Sequence, residues 1–196
     1  EEFVVDTFRP EIAKKLESRH TEMFEAHMVG RAAHPYPAEV SIRPLRYRQR
    51  DARVAIVRDI TDRKRTEQRL THLAQNDPLT NLVNRRVFLE RLEFQLALAK
   101  RGAPHCAMLK IDLDRFKGVN DSLGHLVGDG LLVKVGELLL NCVRSSDLVG
   151  RLGGDEFGVL VTGYHVPSDA EKLAERIRKS LEKPLAVEGH ELHVTA

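Results

Sequence analysis

The sequence contains no tryptophan and only two cysteines among its 196 residues. Cys106 and Cys142 lie in apolar segments without the spacing of a metal site, so we interpret both as reduced core residues and not as a disulfide. The nine histidines also lack the spacing of a metal motif. These features exclude a small secreted domain held together by disulfides and a zinc site built from Cys and His.

The sequence also lacks a long apolar run. None approaches the roughly 18 residues that a membrane helix requires, so we expect no membrane segment. The charge is balanced, because 31 Lys and Arg residues stand against 29 Asp and Glu residues and leave a net charge of +2. This balance gives no basis for a nucleic-acid partner. The chain starts at Glu1 without Met or a signal peptide, and we interpret it as a fragment of a longer cytoplasmic protein.

Hydrophobic residues make up 42% of the chain, which is enough for a packed core in one large or two small domains. Up to residue 62, the pattern predicts a helix over Arg9–Arg19 and strands over Met23–Val29, Val40–Tyr47 and Arg53–Thr61. The alternation in the second strand changes phase at Pro44. Because proline cannot donate a ladder hydrogen bond, we predict a bulge there.

Strong helix formers without Gly or Pro predict a connecting helix over residues 63–76. Leu70 and Leu73 offer a short apolar seam, too short to predict a coiled coil. Two interpretations remain, a lever that transmits a signal and a plain charged linker. The position between two predicted domains favours the lever.

Asp77 and Pro78 form a helix-start signal, and a helix follows from about Arg86 to Lys100. The apolar residues expected on its inner face are Phe88, Leu89, Leu92, Leu96 and Ala99. The segment from Cys106 then predicts a buried strand that ends in two acids, Asp112 and Asp114. In α/β proteins, ligands bind at this end of the strands.

Two more amphipathic helices are predicted, over Asp129–Val143 and Ser168–Leu181. Between them, Gly153 and Gly154 separate two apolar segments and predict a β-hairpin, since glycine accepts the positive φ angles of a tight turn. Asp155 and Glu156 follow the turn directly. Their like charges repel each other, and a divalent cation, which prefers carboxylate oxygens, would relieve that repulsion.

The segment Gly153–Phe157 reads GGDEF and resembles the signature of the GGDEF family, the diguanylate cyclases. Three other segments resemble family motifs at the right spacing. Asp77–Arg86 resembles the opening "DxLTxLxNRR", with Asn81 where the family more often has glycine. Asp112–Asp121, together with the Gly-His and Gly-Asp pairs that follow it, resembles the second signature. Arg144–Asp147 has the offset of the family's inhibitory RxxD site, although its spacing alone also fits a local ion pair.

The resemblance implies roles for individual residues. Two Mg²⁺ or Mn²⁺ ions per active site would be held by Asp112, the carbonyl of Leu113, Asp155 and Glu156. Of these, Asp155 and Glu156 are the expected catalytic residues. The expected GTP-binding residues are Phe116, Lys117, Asn120, Asp129, Gly153 and Gly154. The expected product-binding residues are Arg144 and Asp147, which would bind cyclic di-GMP.

The residue types fit these roles. No Walker motif is present, so the triphosphate needs another anion site. Backbone N–H groups around Asp114 to Lys117 can form one, and the Lys117 side chain adds a positive charge. Asn120 and Asp129 provide the mixed donors and acceptors that a guanine edge requires.

The segment Val57–Lys64 resembles the end of a PAS domain, where "DITxRK" leads into a signalling helix. The resemblances imply a partial PAS sensor over residues 1–62, with an unknown ligand, and a signalling helix over 63–76. They imply a GGDEF domain over 77–196 that is truncated at its C-terminus. The family's next strand and a helix with phosphate-binding Lys and Arg have no counterpart here, which implies an open sheet edge and weaker phosphate binding.

The implied fold is α/β (α+β). It has a mostly antiparallel central sheet flanked by helices, as in nucleotide cyclases and polymerase palms, after a partial PAS sheet and a connecting helix. The implied reaction condenses two GTP into cyclic di-GMP and two pyrophosphates. It requires a homodimer, because two GTP molecules must face each other. We expect the sensor and the product to regulate this cytoplasmic module of a bacterial signalling protein, whether or not the parent is attached to a membrane.

Two alternatives remain. One is a regulatory module that binds GTP or cyclic di-GMP and is fused in the parent to an EAL phosphodiesterase. The intact acids Asp112, Asp155 and Glu156 argue against it. The other is a PAS scaffold that acts only through interactions, which leaves the acids at the hairpin unexplained.

Overall fold

The computed structural model describes residues 22–29, 34–102, 104–164 and 168–196, and it divides into two compact units between Thr71 and His72. The helix predicted over Arg9–Arg19 lies outside the described residues. None of the described helices combines the length and the apolar character needed to cross a membrane.

The first unit contains an antiparallel sheet in the order β1-β2-β3. Its strands are β1 (Glu22–Val29), β2 (Pro35–Tyr47) and β3 (Arg50–Asp59), which confirms the three predicted strands. Every second residue of β1 and β2 points to one face and builds a small core. The buried members of this core are Ala26, Met28, Ala38, Val40 and Ile42. That this sheet is part of a PAS domain stays a prediction.

The predicted bulge at Pro44 is wrong, because β2 pairs with β3 without a register shift from Ala38 to Tyr47. The described residues of β1 pair with β2 only as far as Ile42. Burial also alternates along β2 only as far as Ile42. Beyond Ile42 the strand is mostly exposed on both faces. Where neither face is buried, the apolar pattern carries no information about register.

The predicted connecting helix is confirmed as α1 (Thr61–Gln75), which begins two residues earlier than expected. Within the first unit, Glu25 of β1 binds its first turns through Arg63 at 2.7 Å and Lys64 at 2.6 Å. No residue of α1 is buried, and Leu70 and Leu73 are exposed. The role of α1 as a lever stays a prediction.

The second unit is built around a four-stranded sheet in the order β4-β6-β7-β5. Its strands are β4 (Val83–Asn84), β5 (His105–Asp112), β6 (Leu148–Gly153) and β7 (Glu156–Tyr164). Only β4 and β6 are parallel, so the predicted, mostly antiparallel sheet is confirmed. The other elements are α2 (Arg85–Ala99), α3 (Phe116–Leu123), α4 (His125–Cys142), α5 (Ser168–Leu181), β8 (Leu185–Val187) and β9 (His190–Leu192).

Helices cover both faces of this sheet. Odd-numbered residues of β7, such as Phe157 and Val159, join the main core with α4 and α5, whereas Leu160 joins a smaller cluster around Phe88 of α2. Gly150 and Gly158 pair across β6 and β7 on the α2 side. A Cβ atom on either glycine would lie within 3 Å of the Phe88 ring, so the two glycines create the space into which Phe88 packs.

Several helix and strand predictions need correction. Leu89 and Leu96 of α2 were expected on its inner face, but they are 39% and 46% exposed. Phe88 is the one residue of α2 that is fully buried. Asp77 and Pro78 do not start a helix. They form a turn, and α2 starts at Arg85 after an Asn84 cap, whose side chain accepts a hydrogen bond from the N–H of Val87.

The strand β5 is also less buried than predicted. It lies at the edge of the sheet, and Ile111 is its only buried residue. The helix α4 begins at His125, four residues before the predicted start at Asp129, and the short α3 before it was not predicted. By contrast, α5 has the predicted bounds, and Leu173, Ile177 and Leu181 are its buried residues.

Cys106 and Cys142 do not form a disulfide with each other, as predicted. Cys142 is buried in the main core, whereas Cys106 is half-buried beside the Phe88 cluster.

Candidate active site

The predicted Gly-Gly hairpin is present between β6 and β7. Gly153 and Gly154 have φ angles of 140° and 54°, which side chains other than glycine rarely adopt. The β6–β7 register shifts between Arg151 and Gly153, immediately before the turn. Asp155 lies in the turn and Glu156 begins β7. The turn therefore displays two carboxylates at the end of the sheet.

The strand β5 brings a third carboxylate to the same end. Asp112, its last residue, is the direct antiparallel partner of Glu156, so both side chains lie on the α2 side of the sheet. Leu113 follows and is buried, at 2% exposure. Asp155 belongs to the turn and not to this pair. Across the described residues, no three Asp, Glu, His or Cys side chains form a preassembled metal cluster.

Lys110 is a member of this site that the sequence reasoning missed. Its Nζ donates a hydrogen bond to Glu156 Oε1 at 2.5 Å. This hydrogen bond, together with the negative charges of Glu156 and Asp112, raises the pKa of Lys110. The available signal was a charged residue two positions before Asp112, which strand geometry places on the same face.

Arg151 is a second residue at the hairpin that the sequence reasoning missed. Its Nε and Nη2 atoms both donate to the Gly154 carbonyl, at 2.9 and 2.7 Å. Its Nη1 binds Asp77 Oδ1 at 3.2 Å, in an ion pair whose side chains are only 14% and 18% exposed. Asp77 Oδ1 also accepts hydrogen bonds from the N–H and hydroxyl of Thr80, both at 2.8 Å. Arg151 thus connects the signature turn to the segment that precedes α2.

The Asp77 carboxyl has a lowered pKa. Burial alone would raise it, but the hydrogen bonds from Thr80 and the guanidinium of Arg151 outweigh burial. As the pH falls, the unfolded chain therefore takes up this proton before the folded chain does. The stability that Asp77 contributes is present above its unfolded pKa of about 4 and is lost as the pH falls through the lower folded value.

We therefore expect the free energy of unfolding to fall more steeply between about pH 4 and pH 2 in the wild type than in the Asp77→Asn variant. Urea titrations followed by helical circular dichroism at several pH values measure this difference. The fully exposed Asp62 of α1, changed to Asn, is the control and should follow the wild-type curve. Parallel curves for the wild type and Asp77→Asn would contradict this assignment.

The predicted GTP-binding residues of the second signature lie on α3 and α4. Phe116 and Lys117 are in the first turn of α3, Asn120 follows one turn later, and Asp129 is exposed on α4. Arg115 precedes α3 with a φ of 58°, and no side chain caps the helix. Its first N–H groups are therefore available to an anion.

The Asn120 side chain lies directly over Gly128 of α4. A Cβ atom at position 128 would stand 1.9 Å from Asn120 Oδ1, so only glycine leaves the amide in its place. No described residue forms a hydrogen bond with the amide group of Asn120. The amide is positioned by its contact with Gly128 and not by a hydrogen bond, so its donors and its acceptor remain available to a ligand.

The Gly128→Ala substitution should displace the Asn120 amide and weaken GTP binding about tenfold, without unfolding the chain, because the clashing atoms belong to a side chain that can rotate. Calorimetric titration with GTP measures this loss. Gly118→Ala on α3 is the matched control, since nothing lies within 4 Å of a Cβ there. Equal affinities for both variants would show that Gly128 does not position Asn120.

Asp114, which lies in the loop between β5 and α3, forms two hydrogen bonds with Thr195. Its N–H donates to the Thr195 carbonyl at 2.9 Å, and its Oδ2 accepts from the Thr195 hydroxyl at 2.6 Å. These bonds fix the loop between β5 and α3.

The predicted product-binding residues are near each other but do not form an ion pair. Asp147 accepts hydrogen bonds from the N–H groups of Arg144, at 3.1 Å, and Thr162, at 3.2 Å. The Arg144 side chain is exposed at a cavity of about 170 Å³, which Lys172 and Arg176 of α5 also line. Backbone hydrogen bonds to Asp147, and not an ion pair, hold this turn.

Comparisons with known proteins identify the second unit. Residues 74–196 match the family model described as "Diguanylate cyclase, GGDEF domain". The chain belongs to the GGDEF family. It is 40% identical over 146 residues to MucR from Pseudomonas aeruginosa, named a bifunctional diguanylate cyclase and cyclic di-GMP phosphodiesterase. That match covers 74% of this chain but only 21% of MucR.

Solved GGDEF structures have the same fold. The GGDEF domain of TpbB from Pseudomonas aeruginosa matches with a TM-score of 0.59 at 41% identity, over 61% of this chain and 70% of that one. DgcB from Caulobacter crescentus, solved in complex with c-di-GMP, matches with a TM-score of 0.61 at 27% identity. That match covers 68% of this chain and 72% of DgcB. The central sheet with flanking helices is therefore the GGDEF fold.

Proposed function

We propose that this GGDEF domain is a diguanylate cyclase, which condenses two GTP molecules into cyclic di-GMP and two pyrophosphates. The observation that carries the proposal is the position of Asp112, Asp155 and Glu156 at the same end of the sheet, with the uncapped α3 starting four residues after Asp112. The family match and the names of the relatives support it.

The oxygen donors of this site suit Mg²⁺ or Mn²⁺, since hard cations prefer carboxylate and carbonyl oxygens. Asp112, the Leu113 carbonyl, Asp155 and Glu156 would hold two ions. Bound ions would polarise the phosphate and favour deprotonation of the attacking 3′-hydroxyl. The fit rests on the donor chemistry and on the cross-strand pairing of Asp112 with Glu156.

The protein side chains do the positioning. Asn120 and Asp129 read the guanine edge. The N–H groups at the start of α3 and the Lys117 side chain hold the phosphates, and Phe116, which packs against the main core, fixes the start of α3 beside them. Gly153 and Gly154 let the backbone of the turn approach the nucleotide closely. Because each protomer holds one GTP, two protomers must face each other for the two 3′-hydroxyls to reach the opposing phosphates.

We further propose that Arg144 and Asp147 form a product site that inhibits the enzyme. The exposed Arg144 guanidinium at the small cavity suits a forked contact with a guanine edge. Arg144→Ala should weaken binding of cyclic di-GMP about tenfold or more, as calorimetry with the dinucleotide would measure. The exposed Arg101, changed to Ala, is the control. Unchanged affinity in Arg144→Ala would exclude this site.

Other parts of the proposal concern the whole protein. We propose that residues 1–62 belong to a PAS sensor and that α1 transmits its state to the cyclase. The module then works as a cytoplasmic part of a larger signalling protein. A second candidate is a domain that binds GTP or cyclic di-GMP and regulates a fused EAL phosphodiesterase. The name of MucR, a bifunctional diguanylate cyclase and cyclic di-GMP phosphodiesterase, supports only the fusion to a phosphodiesterase.

Pyrophosphate release tests the enzymatic proposal. With GTP and Mg²⁺, the chain should release two pyrophosphates for each cyclic di-GMP formed. The rate should rise more steeply than linearly with protein concentration, because a dimer is required. GTP binding without pyrophosphate release would favour the regulatory module instead.

A further inference from the structure

Lys110 lies inside the candidate metal site, although its residue type cannot bind a metal in its charged form. It stands opposite Gly158 in the β5–β7 register, two pairs away from Asp112 and Glu156 and therefore on the same face of the sheet. From there its Nζ reaches diagonally to Glu156 Oε1 at 2.5 Å. Its side chain is 57% exposed and that of Glu156 is 31% exposed. Both water and a divalent cation can therefore reach the pair.

This contact differs from the ion pairs on the surfaces of the helices. Lys134 and Glu137, for example, are three residues apart on α4 and 2.8 Å apart in space, and both side chains are exposed. Lys110 and Glu156 are 46 residues apart in sequence, and the fold alone brings them together. Lys110 also shares a strand face with Asp112. Its positive charge therefore lies beside two carboxylates, those of Asp112 and Glu156.

The charge on Lys110 opposes a bound metal in two ways. The ammonium occupies a Glu156 oxygen that a metal would need, and it repels any divalent cation nearby. A lysine is charged at neutral pH and has no lone pair with which to bind a metal. A divalent cation and the ammonium therefore compete for the Glu156 carboxylate.

We propose that Lys110 is an internal counter-ion that competes with the divalent cation for Glu156. In the metal-free site, Lys110 neutralises Glu156 and limits its repulsion with Asp112. Binding of a metal at Glu156 displaces Lys110, so Lys110 weakens metal affinity and raises the metal concentration that the site requires. This inference rests on the proposed function, which assigns Glu156 to the metal.

The test compares Mn²⁺ affinity, without nucleotide, in the full chain and its variants. Lys110→Met keeps the length of the side chain and removes its charge. It should bind Mn²⁺ about fivefold more tightly than the wild type. This gain in affinity corresponds to the loss of one exposed ion pair and of the repulsion between Lys110 and the metal. Lys134→Met is the matched control and should bind like the wild type. Electron paramagnetic resonance of free Mn²⁺ measures each affinity.

Salt provides a second readout. The difference between Lys110→Met and the wild type should shrink as ionic strength rises, because both the ion pair and the repulsion are screened. Circular dichroism verifies that each variant is folded. Lys110→Gln, which also removes the charge, repeats the test if the Met variant does not fold.

The outcomes separate this inference from the proposed function. Unchanged or weaker Mn²⁺ binding in both Lys110 variants, with a wild type that binds Mn²⁺, overturns only the competition. If the wild type binds no Mn²⁺, or if Asp155→Asn leaves its Mn²⁺ binding unchanged, the metal assignment of the proposed function fails. The proposed competition then fails as well.

Discussion

Asp155→Asn is expected to lower cyclic di-GMP synthesis at least about a thousandfold, since metal-assisted charge stabilisation contributes several kcal/mol to the transition state. Asp155 is half-buried in the turn and forms no hydrogen bond or ion pair with a described residue. The amide keeps the shape of the side chain but loses the negative charge. The variant should therefore fold with nearly the wild-type stability and lose activity alone.

The measurement is the initial rate of cyclic di-GMP formation, followed by chromatography, together with the thermal midpoint of each variant. Glu137→Gln, an acid-to-amide change on the exposed face of α4, is the matched control and should keep the wild-type rate. A rate within tenfold of the wild type in Asp155→Asn would remove this carboxylate from the mechanism. A large fall in the midpoint would instead assign it a folding role.

Arg151→Met is expected to affect both stability and activity. It removes two hydrogen bonds to the Gly154 carbonyl and leaves Asp77, which keeps its hydrogen bonds from Thr80, without a charged partner in a largely buried position. Loss of a charged hydrogen-bond partner costs about 2 kcal/mol in the free energy of unfolding. Because the signature turn loses its anchor, synthesis should also fall on the order of tenfold.

Urea titration and the rate of synthesis measure the two effects of Arg151→Met. Arg178→Met is the matched control, because Arg178 also binds two groups, Glu175 and Glu182, but on the exposed surface of α5. Surface ion pairs of this kind contribute little, so the control should behave like the wild type. Full stability in Arg151→Met would show that the turn does not depend on Arg151.

Features with a local cause were predictable from the sequence. The hairpin follows from two adjacent glycines between apolar segments, and α5 follows from apolar residues at helical spacing. Asn81 has a φ of 59°, a left-handed conformation that asparagine adopts more readily than most residues. In each case the residues that decide the structure are within a few positions of one another.

Features that depend on distant residues were not predictable. Asp77 looked like a helix cap, but its partner Arg151 is 74 residues away, and together they build a turn. The exposure of β5 depends on its place at the edge of the sheet, which the strand's own pattern does not encode. Nothing in the sequence around Lys110 indicates its contact with Glu156, because that contact depends on the register between β5 and β7.

The central claim is that this chain joins two GTP molecules at the Gly-Gly hairpin. The most direct test is to incubate the purified chain with GTP and Mg²⁺ and to analyse the products by mass spectrometry, beside the Asp155→Asn variant. The account predicts cyclic di-GMP in the wild-type reaction and none in the variant. Cyclic di-GMP formed equally by both proteins would contradict the proposed site, and GTP bound but unchanged in the wild type would contradict the cyclase assignment.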